Sequence, residues 1–408
     1  MKLLIILVAL SVNAFSGEVM NKLWESSKNC YPCHKEIVKT WRTSRHAHSH
    51  FGKNDLFKKS LLYMTKKNPT MILDEMKMKC AQCHNPRIVK STLDGDDKIS
   101  LLMGHKSTQK AYRDMLGSTN MKDGINCLVC HNVDKIHLDK SKGSQGMNSI
   151  VFGPQGTMYG PFRDASTVYH QSVHKEHFDR DEPTLCFSCH YSGTNQHGLE
   201  VYSTGREYDK TLKKKGKEIT GCKKCHMSRR KSGHASNYSK AGERPKKRMV
   251  RAHRFASVDN SDILEKYIDV SGRVAQSNLF TFLFIKITNH SPHKLPSGYG
   301  LRELTINVKF FDMHDVPLGS AKKVMGAVWG DAEGKPTIPH LASSLLKDTR
   351  IKGLSSKEYV FDIPKKAKYV TYVMTYRLVS ETMSKEIGIS DPFFKKEYTF
   401  FESRIPVE

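Results

Sequence analysis

Apolar residues change their texture along this chain. In the first part they come in short pieces at three- and four-residue spacing, and residues 56–66, 71–78 and 107–116 predict helices of two to three turns. Residues 143–160, rich in Gly, Ser and Gln, predict a loop. From about Val258 onward the period becomes two. Residues 279–288, 303–311, 359–363 and 369–378 predict strands, separated by Gly, Pro and Ser turns, and together they point to a β-sandwich of about 150 residues. The apolar run 279–287 is interrupted by Lys286 and reads as a buried strand rather than a membrane span. The expected fold class is a mostly α or irregular domain over residues 17–257, followed by an all-β sandwich-like domain over 258–408.

The N-terminus has its own signature. Met1-Lys2, an apolar stretch over residues 3–12 and Ala14-Phe15-Ser16 before Gly17 form the n-region, h-region and cleavage site of a secretory signal peptide, residues 1–16. The apolar core is shorter than a spanning helix needs. Export to the periplasm is expected, with the cell surface as a second destination.

Ten cysteines sharpen the picture, all of them between Cys30 and Cys225. They resolve without remainder into five Cys-x-x-Cys-His motifs: Cys30/Cys33/His34, Cys80/Cys83/His84, Cys127/Cys130/His131, Cys186/Cys189/His190 and Cys222/Cys225/His226. Two thiols three residues apart form thioethers to the two vinyl groups of one haem, and the adjacent imidazole turns onto the iron. Zinc sites and disulfides also use paired cysteines, but neither asks for a histidine directly after every second one. The expected cofactors are therefore five c-type haems. Export agrees, because free-thiol zinc sites are at risk in an oxidising compartment.

Twenty histidines leave fifteen beyond the five proximal ones, and a six-coordinate bis-His haem needs one more per iron. A Ser-x-His pattern recurs at Ser44 to His46, Ser172 to His174 and Ser232 to His234, each expected at a helix start. His48, His50, His170 and His177 crowd the same segments, so the ligand within each cluster stays open by a residue or two. His105 and His253 are isolated. The distal candidates are His46, His105, His170, His174 and His253, with exposed or propionate-binding roles as the alternative. Met227 and the other methionines read as core. Arg163, Arg229 and Arg254 suit propionates or solvent.

The charge is basic, with 66 Lys plus Arg against 41 Asp plus Glu and a net of +25. Haem propionates reduce that balance. Runs at residues 213–215, 229–231 and 246–248 suit an acidic redox partner or an anionic substrate, or simply a solvated surface. Export disfavours nucleic acid. Peripheral membrane association is open, and nothing in the sequence sets the oligomeric state.

With these motifs in view, the chain resembles the cytochrome c-554 type of multihaem cytochromes. Asp123-Gly124-Ile125-Asn126-Cys127 is similar to that family's approach to a haem motif, and Gly160-Pro161-Phe162-Arg163-Asp164-Ala165 followed by His170 is similar to its Gly-Pro-Tyr/Phe segment. Cys222 to Met227 followed by His253-Arg254-Phe255 resembles its closing pair. The resemblance covers roughly residues 26–257. It implies a helical haem domain, haems in close pairs and largely bis-His ligation. Five motifs and an added C-terminal domain depart from the four-haem type member. In the β region, residues 289–299 resemble a loop of β domains appended to multihaem cytochromes, which implies that His293 reaches a haem. A His that organises the Pro-Gly loop is the alternative.

The leading expectation is an electron carrier between a quinol-oxidising membrane cytochrome and a terminal reductase or oxidase, one that does not fold without haem. A reductase or oxidase of a small nitrogen or sulfur compound at one five-coordinate haem is the alternative. A haem filament or outer-membrane conduit is a third.

Overall fold

The computed structural model describes residues 26–407 apart from 89–91, 141–144, 180–181, 217–220, 228–230, 239–244 and 260–261. The expected signal peptide and Arg229 lie outside the described residues. The chain forms two compact units, Met1–Cys189 with Ile219–Ala256, and His190–Glu218 with Ser257–Glu408.

The first unit is built from short helices and turns. These include α1 (Lys35–Arg42), α2 (Asp55–Lys67), α3 (Leu73–His84), α4 (Gly95–Leu102), α5 (Lys106–Leu116), α6 (Cys127–His131), α7 (Thr184–His190), at whose end the chain passes into the second unit, and α9 (Lys223–His226). Side chains set the starts. Asn54 caps α2 by accepting the Phe57 N–H at 2.9 Å, and Asp94 caps α4 by accepting that of Asp97 at 2.8 Å. The helices at 55–67 and 106–116 contain the pieces expected there, and the helix at 73–84 takes in the piece 71–78 except for Met71 and Ile72.

Two expectations fail here. The segment 143–160 carries two strands, Ile150–Phe152 paired antiparallel with Val133–Ile136, and Thr157–Gly160 paired parallel with Gln171–His174. Its Gly and Gln content signals turns, whereas the pairing that makes it a sheet comes from distant partners. The Ser-x-His copies also do not open helices. Those at 172–174 and 232–234 lie in strands, Gln171–His174 and Lys231–His234, and Ser44 closes a turn by accepting the Ala47 N–H at 3.2 Å. The pattern is local, while the strand partners that overrule it are not.

The second unit is a β-sandwich with an added helix of three turns, α8 (Thr204–Lys215), and shorter helical pieces at Ile263–Tyr267, Glu381–Glu386 and Pro392–Lys395. Its strands are β1 (Ile268–Gln276), β2 (Thr281–Asn289), β3 (Glu303–Phe311), β4 (Pro317–Gly330), β5 (Pro336–Thr337), β6 (Ser344–Asp348), β7 (Ser355–Ile363), β8 (Tyr369–Arg377) and β9 (Glu397–Pro406). One sheet has the order β7-β2-β1; the other runs β5-β4-β3-β8-β9, with β6 also on β4. Alternation explains the core. Leu283, Ile285 and Ile287 of β2 face one way and meet Leu304, Ile306, Val308 and Phe310 of β3 and Val370, Tyr372 and Met374 of β8 in one apolar cluster. The run expected as one buried strand from 279 begins at Thr281 instead; Leu279 and Phe280 sit exposed in the preceding turn.

The segment 190–218 is fastened to this sandwich by polar contacts. Asn195 donates to the carbonyls of Pro339 and Ala342 at 2.8 and 2.7 Å. The buried Glu207 carboxylate of α8 accepts from Ser203 Oγ at 2.9 Å, and from the Lys294 N–H and Ser297 Oγ at 3.0 Å each.

Candidate haem-binding sites

Each Cys-x-x-Cys-His motif falls on a helical turn. The second closes α3, the third is α6, the fourth lies within α7 and the fifth spans α9. The first runs from a 3-10 turn, Ser27–Cys30, into α1, with the His34 N–H donating to the Cys30 carbonyl at 2.9 Å. On a helix, positions i, i+3 and i+4 share one face, so both thiols and the imidazole point the same way from one turn.

Capping residues fix these turns and join them. Asn126 accepts the N–H groups of Leu128 and Val129 at 3.0 and 3.1 Å and so starts the third motif. The Asp123 carboxylate, three residues earlier, accepts from Ser26 Oγ at 2.8 Å and the Ser27 N–H at 2.9 Å, while Ser27 Oγ accepts the Cys127 N–H at 3.1 Å. The first and third motifs are thereby tied together. Gly124 adopts φ +63°, and a Cβ there would lie 2.5 Å from Ser49 Oγ and 2.6 Å from the His46 carbonyl oxygen, which is why Asp-Gly precedes this motif. Gly146 plays the same part at the second motif, where a Cβ would strike the Gln82 carbonyl and lie 2.8 Å from Cys83 Sγ.

Thiols of different motifs adjoin. Cys30 lies close enough to Cys127, Cys83 to Cys189 and Cys186 to Cys222 for the one thiol to shift the proton affinity of the other. Cys130 feels the fields of Cys189 and Cys186, and burial pushes its thiol up to about 12. Burial alone does the same for Cys80. The neighbour order this defines is first to third, third to fourth, and fourth to both second and fifth. None of the ten thiols is in a disulfide.

The imidazoles are set for metal ligation. Nδ1 of His34, His84 and His131 lies 2.6, 2.9 and 2.7 Å from the carbonyl oxygens of Ala235, Ser49 and Tyr159. A carbonyl only accepts, so Nδ1 carries the proton and Nε2 presents its lone pair, the tautomer and orientation that a ligating histidine needs. Burial lowers the proton affinity of His84 and His131 and favours that neutral form.

Two of these rings face a partner. The His34 and His170 centroids are 6.3 Å apart with planes inclined 28°, and those of His131 and His253 are 6.1 Å apart at 33°. Metal–imidazole bonds of about 2.0 Å place the centroids of two trans imidazoles roughly 6 Å apart. His253 Nδ1 donates to the Arg251 carbonyl at 3.1 Å and that of His170 lies 3.4 Å from the Gln171 carbonyl, so Nε2 is the nitrogen left over in both. Burial, followed by the field of His131, holds the His253 imidazole down to about 4. The residues present fit haem iron.

The remaining candidates separate by their contacts. His174 Nε2 donates to Asp179 at 3.1 Å, which commits the nitrogen that a ligand needs. His50 is committed twice, Nε2 to the Leu116 carbonyl and Nδ1 to the Gly52 N–H, both at 3.0 Å. His46 packs edge-on against Phe255 at 4.2 Å, and the next residue, Ala256, donates its N–H to the His226 carbonyl at 2.7 Å, so Phe255, at φ +51°, brings His46 toward the fifth motif. His105 is exposed at the start of α5. His293 is half-buried in the second unit, its Nδ1 3.1 Å from the Lys294 carbonyl. Arg163 and Arg254 are exposed.

Some contributors carry no sequence signal. Lys223, inside the fifth motif, is buried and donates Nζ to the carbonyls of His177 and Glu182 at 3.0 and 2.9 Å, anchoring that motif to the approach of the fourth. A lysine between two cysteines reads as solvated. His177 Nε2 is buried without a hydrogen-bond partner among the described residues, beside Phe178, which stacks on His131 at 5.0 Å.

Residues 29–132 match the model of the family described as cytochrome c554 and c-prime. The fold is similar to that of a penta-heme cytochrome c552 from Thermochromatium tepidum, with 18% identity over 94% of this chain and 98% of that chain and a TM-score of 0.69. A putative ApaA protein from Bordetella pertussis covers 34% of this chain and 89% of its own at 15% identity, with a TM-score of 0.18 that supports no comparison. No curated protein sequence matches the chain. Residues 29–132 thus resemble the cytochrome c554 and c-prime family, and the chain as a whole has the fold of the penta-heme cytochrome, its β-sandwich at the C-terminal end included.

Proposed function

We propose that this multihaem cytochrome carries five c-type haems, one on each motif, and moves electrons in the periplasm between a quinol-oxidising membrane cytochrome and a terminal reductase or oxidase. The observation that carries this reading is the pair of facing imidazoles, His34 with His170 and His131 with His253, set in a body where the five attachment turns adjoin. Bound haem supplies a reversible one-electron iron centre. The chain supplies the rest. Backbone carbonyls orient the proximal rings, buried surroundings exclude water, and His170 and His253 would each supply a second imidazole nitrogen to bound iron, which would keep ligation alike in both oxidation states. His46 is assigned to the fifth motif. His105 and His293 remain the further candidates for the other irons, whereas His174 is held by Asp179.

One observation favours the alternative at a single site. His84 opens on a cavity of about 180 Å³ that is also lined by Phe57, Lys77 and Arg113 and by His50, both of whose nitrogens are engaged. Asp74 also lines it and pairs with Lys77 at 2.8 Å, so Arg113 is the lining cation that a small anion of nitrogen or sulfur would meet at a five-coordinate centre there.

Pyridine haemochrome assay against protein mass tests the count. A ratio near five supports it. A ratio of four, with one motif free by peptide mapping, contradicts it.

A further inference from the structure

One end of the second unit carries apolar side chains that the sandwich core leaves out. The link from β7 to β8, residues 364–368, is short, so both sheets end together there, with Thr281 opposite Ile363 in one and Phe311 opposite Tyr369 in the other. The β1–β2 hairpin turns at the same end through residues 277–280, and the β3–β4 hairpin through 312–316. Leu279 is 72% exposed, Phe280 61%, Met313 72% and Val316 51%. Hairpin turns are ordinarily polar. Lys365, Lys366 and Lys368 are exposed on the link, which is tied to the second turn by the Lys368 N–H donating to the Phe311 carbonyl at 2.7 Å.

We propose that this end seats the protein on an anionic phospholipid surface. Backbone chemistry suits the turns to an apolar boundary, where unpaired N–H and C=O groups are costly. The Ser277 N–H donates to the Phe280 carbonyl at 2.8 Å and the Phe280 N–H to Ser277 Oγ at 3.1 Å. In the other turn the Asp312 N–H donates to the Val316 carbonyl at 3.1 Å, and Asp312 Oδ1 accepts the N–H groups of His314 and Val316 at 2.8 and 2.9 Å. Among the described residues the carboxylates nearest the turns are engaged locally. Asp312 holds its own turn, and Asp315 accepts from the Tyr369 hydroxyl at 2.7 Å with Arg404 3.8 Å away. Asp362, exposed opposite Phe282 on β7, stands back from the turns. What projects is therefore two apolar turns beside three lysines, the pairing of buried apolar area with cationic attraction that holds interfacial proteins on anionic lipid. Projections on separate turns suit a deformable bilayer better than the close complementarity of a protein interface.

Co-sedimentation of the mature holoprotein with vesicles tests this, using phosphatidylglycerol and phosphatidylcholine in equal parts against phosphatidylcholine alone. The expected result is binding to the anionic vesicles that weakens with salt. The double substitution Leu279→Ser, Phe280→Ser should weaken it by about tenfold or more, and Lys365→Gln with Lys366→Gln by several-fold. Val168→Ser, which removes an equally exposed apolar side chain from the first unit, should leave it unchanged. No sedimentation with anionic vesicles overturns the proposal. So does binding that survives replacement of Leu279 and Phe280, which would assign it to general basic charge, or a loss with Val168→Ser of the same size. Far-UV circular dichroism and the Soret band check that each variant is folded.

Discussion

The two units are held together by different means. The second has one continuous core of eighteen buried residues filled by the inward faces of two sheets. In the first, the described apolar clusters include one of seven residues around α3 and α5 and one of three around Val38 and Trp41. Burial of apolar surface is the main driving force of folding, at about 25 cal/mol per Å², so a unit with such small clusters needs another apolar body to pack on. In the proposed reading, bound porphyrins supply it. The lesson is a division of labour: the sandwich folds on its own side chains, whereas the haem unit is organised around its attachment turns.

The largest effect follows from withholding haem. Protein produced without haem attachment should lose hydrogen-exchange protection across α2, α3 and α5 while β2, β3 and β8 stay protected. Mass-spectrometric exchange reads this directly, and equal loss in both units would erase the contrast. Next comes the sandwich core. Leu283→Ala, at a fully buried position, should cost about 2–5 kcal/mol in denaturant unfolding of the second unit and leave the Soret and α bands unchanged; altered haem bands would mean that the units are not separable in this way. A smaller effect is expected at Glu207. Changing it to Gln keeps its shape but removes the charge that meets three donors, at about 1–3 kcal/mol; proteolysis within 190–218 should rise while β2 stays protected. Smallest is Lys385→Ala, which removes an exposed ion pair with Glu381 on one helical turn. Thermal melting should not shift measurably, and a shift as large as that of Glu207→Gln would refute the ranking.

What could be read in advance follows from how local each feature is. The attachment motifs are legible because thioether chemistry needs both thiols and the imidazole on one turn. The strands β2, β3 and β8 are legible because they alternate against a buried face, whereas β1, with Gly272 in its inner row, and β9, whose pairing slips by a residue between Thr399 and Phe401, are edge strands with a weaker apolar face. Distal imidazoles are not legible. His170 and His174 sit four residues apart in the same segment, and only the fold sets the first beside His34 and turns the second to Asp179. The same holds for Lys223, whose burial depends on two carbonyls from a distant loop, and for segment 190–218, whose partners Pro339 and Lys294 lie far along the chain.

The paired imidazoles are the centre of this account, and low-temperature electron paramagnetic resonance of the oxidised holoprotein tests them most directly. His170→Ala and His253→Ala, made singly, should each convert one low-spin iron to a high-spin signal at unchanged haem content. A spectrum left unaltered by both substitutions would show that neither imidazole reaches an iron, and would contradict the pairing on which the proposed function rests.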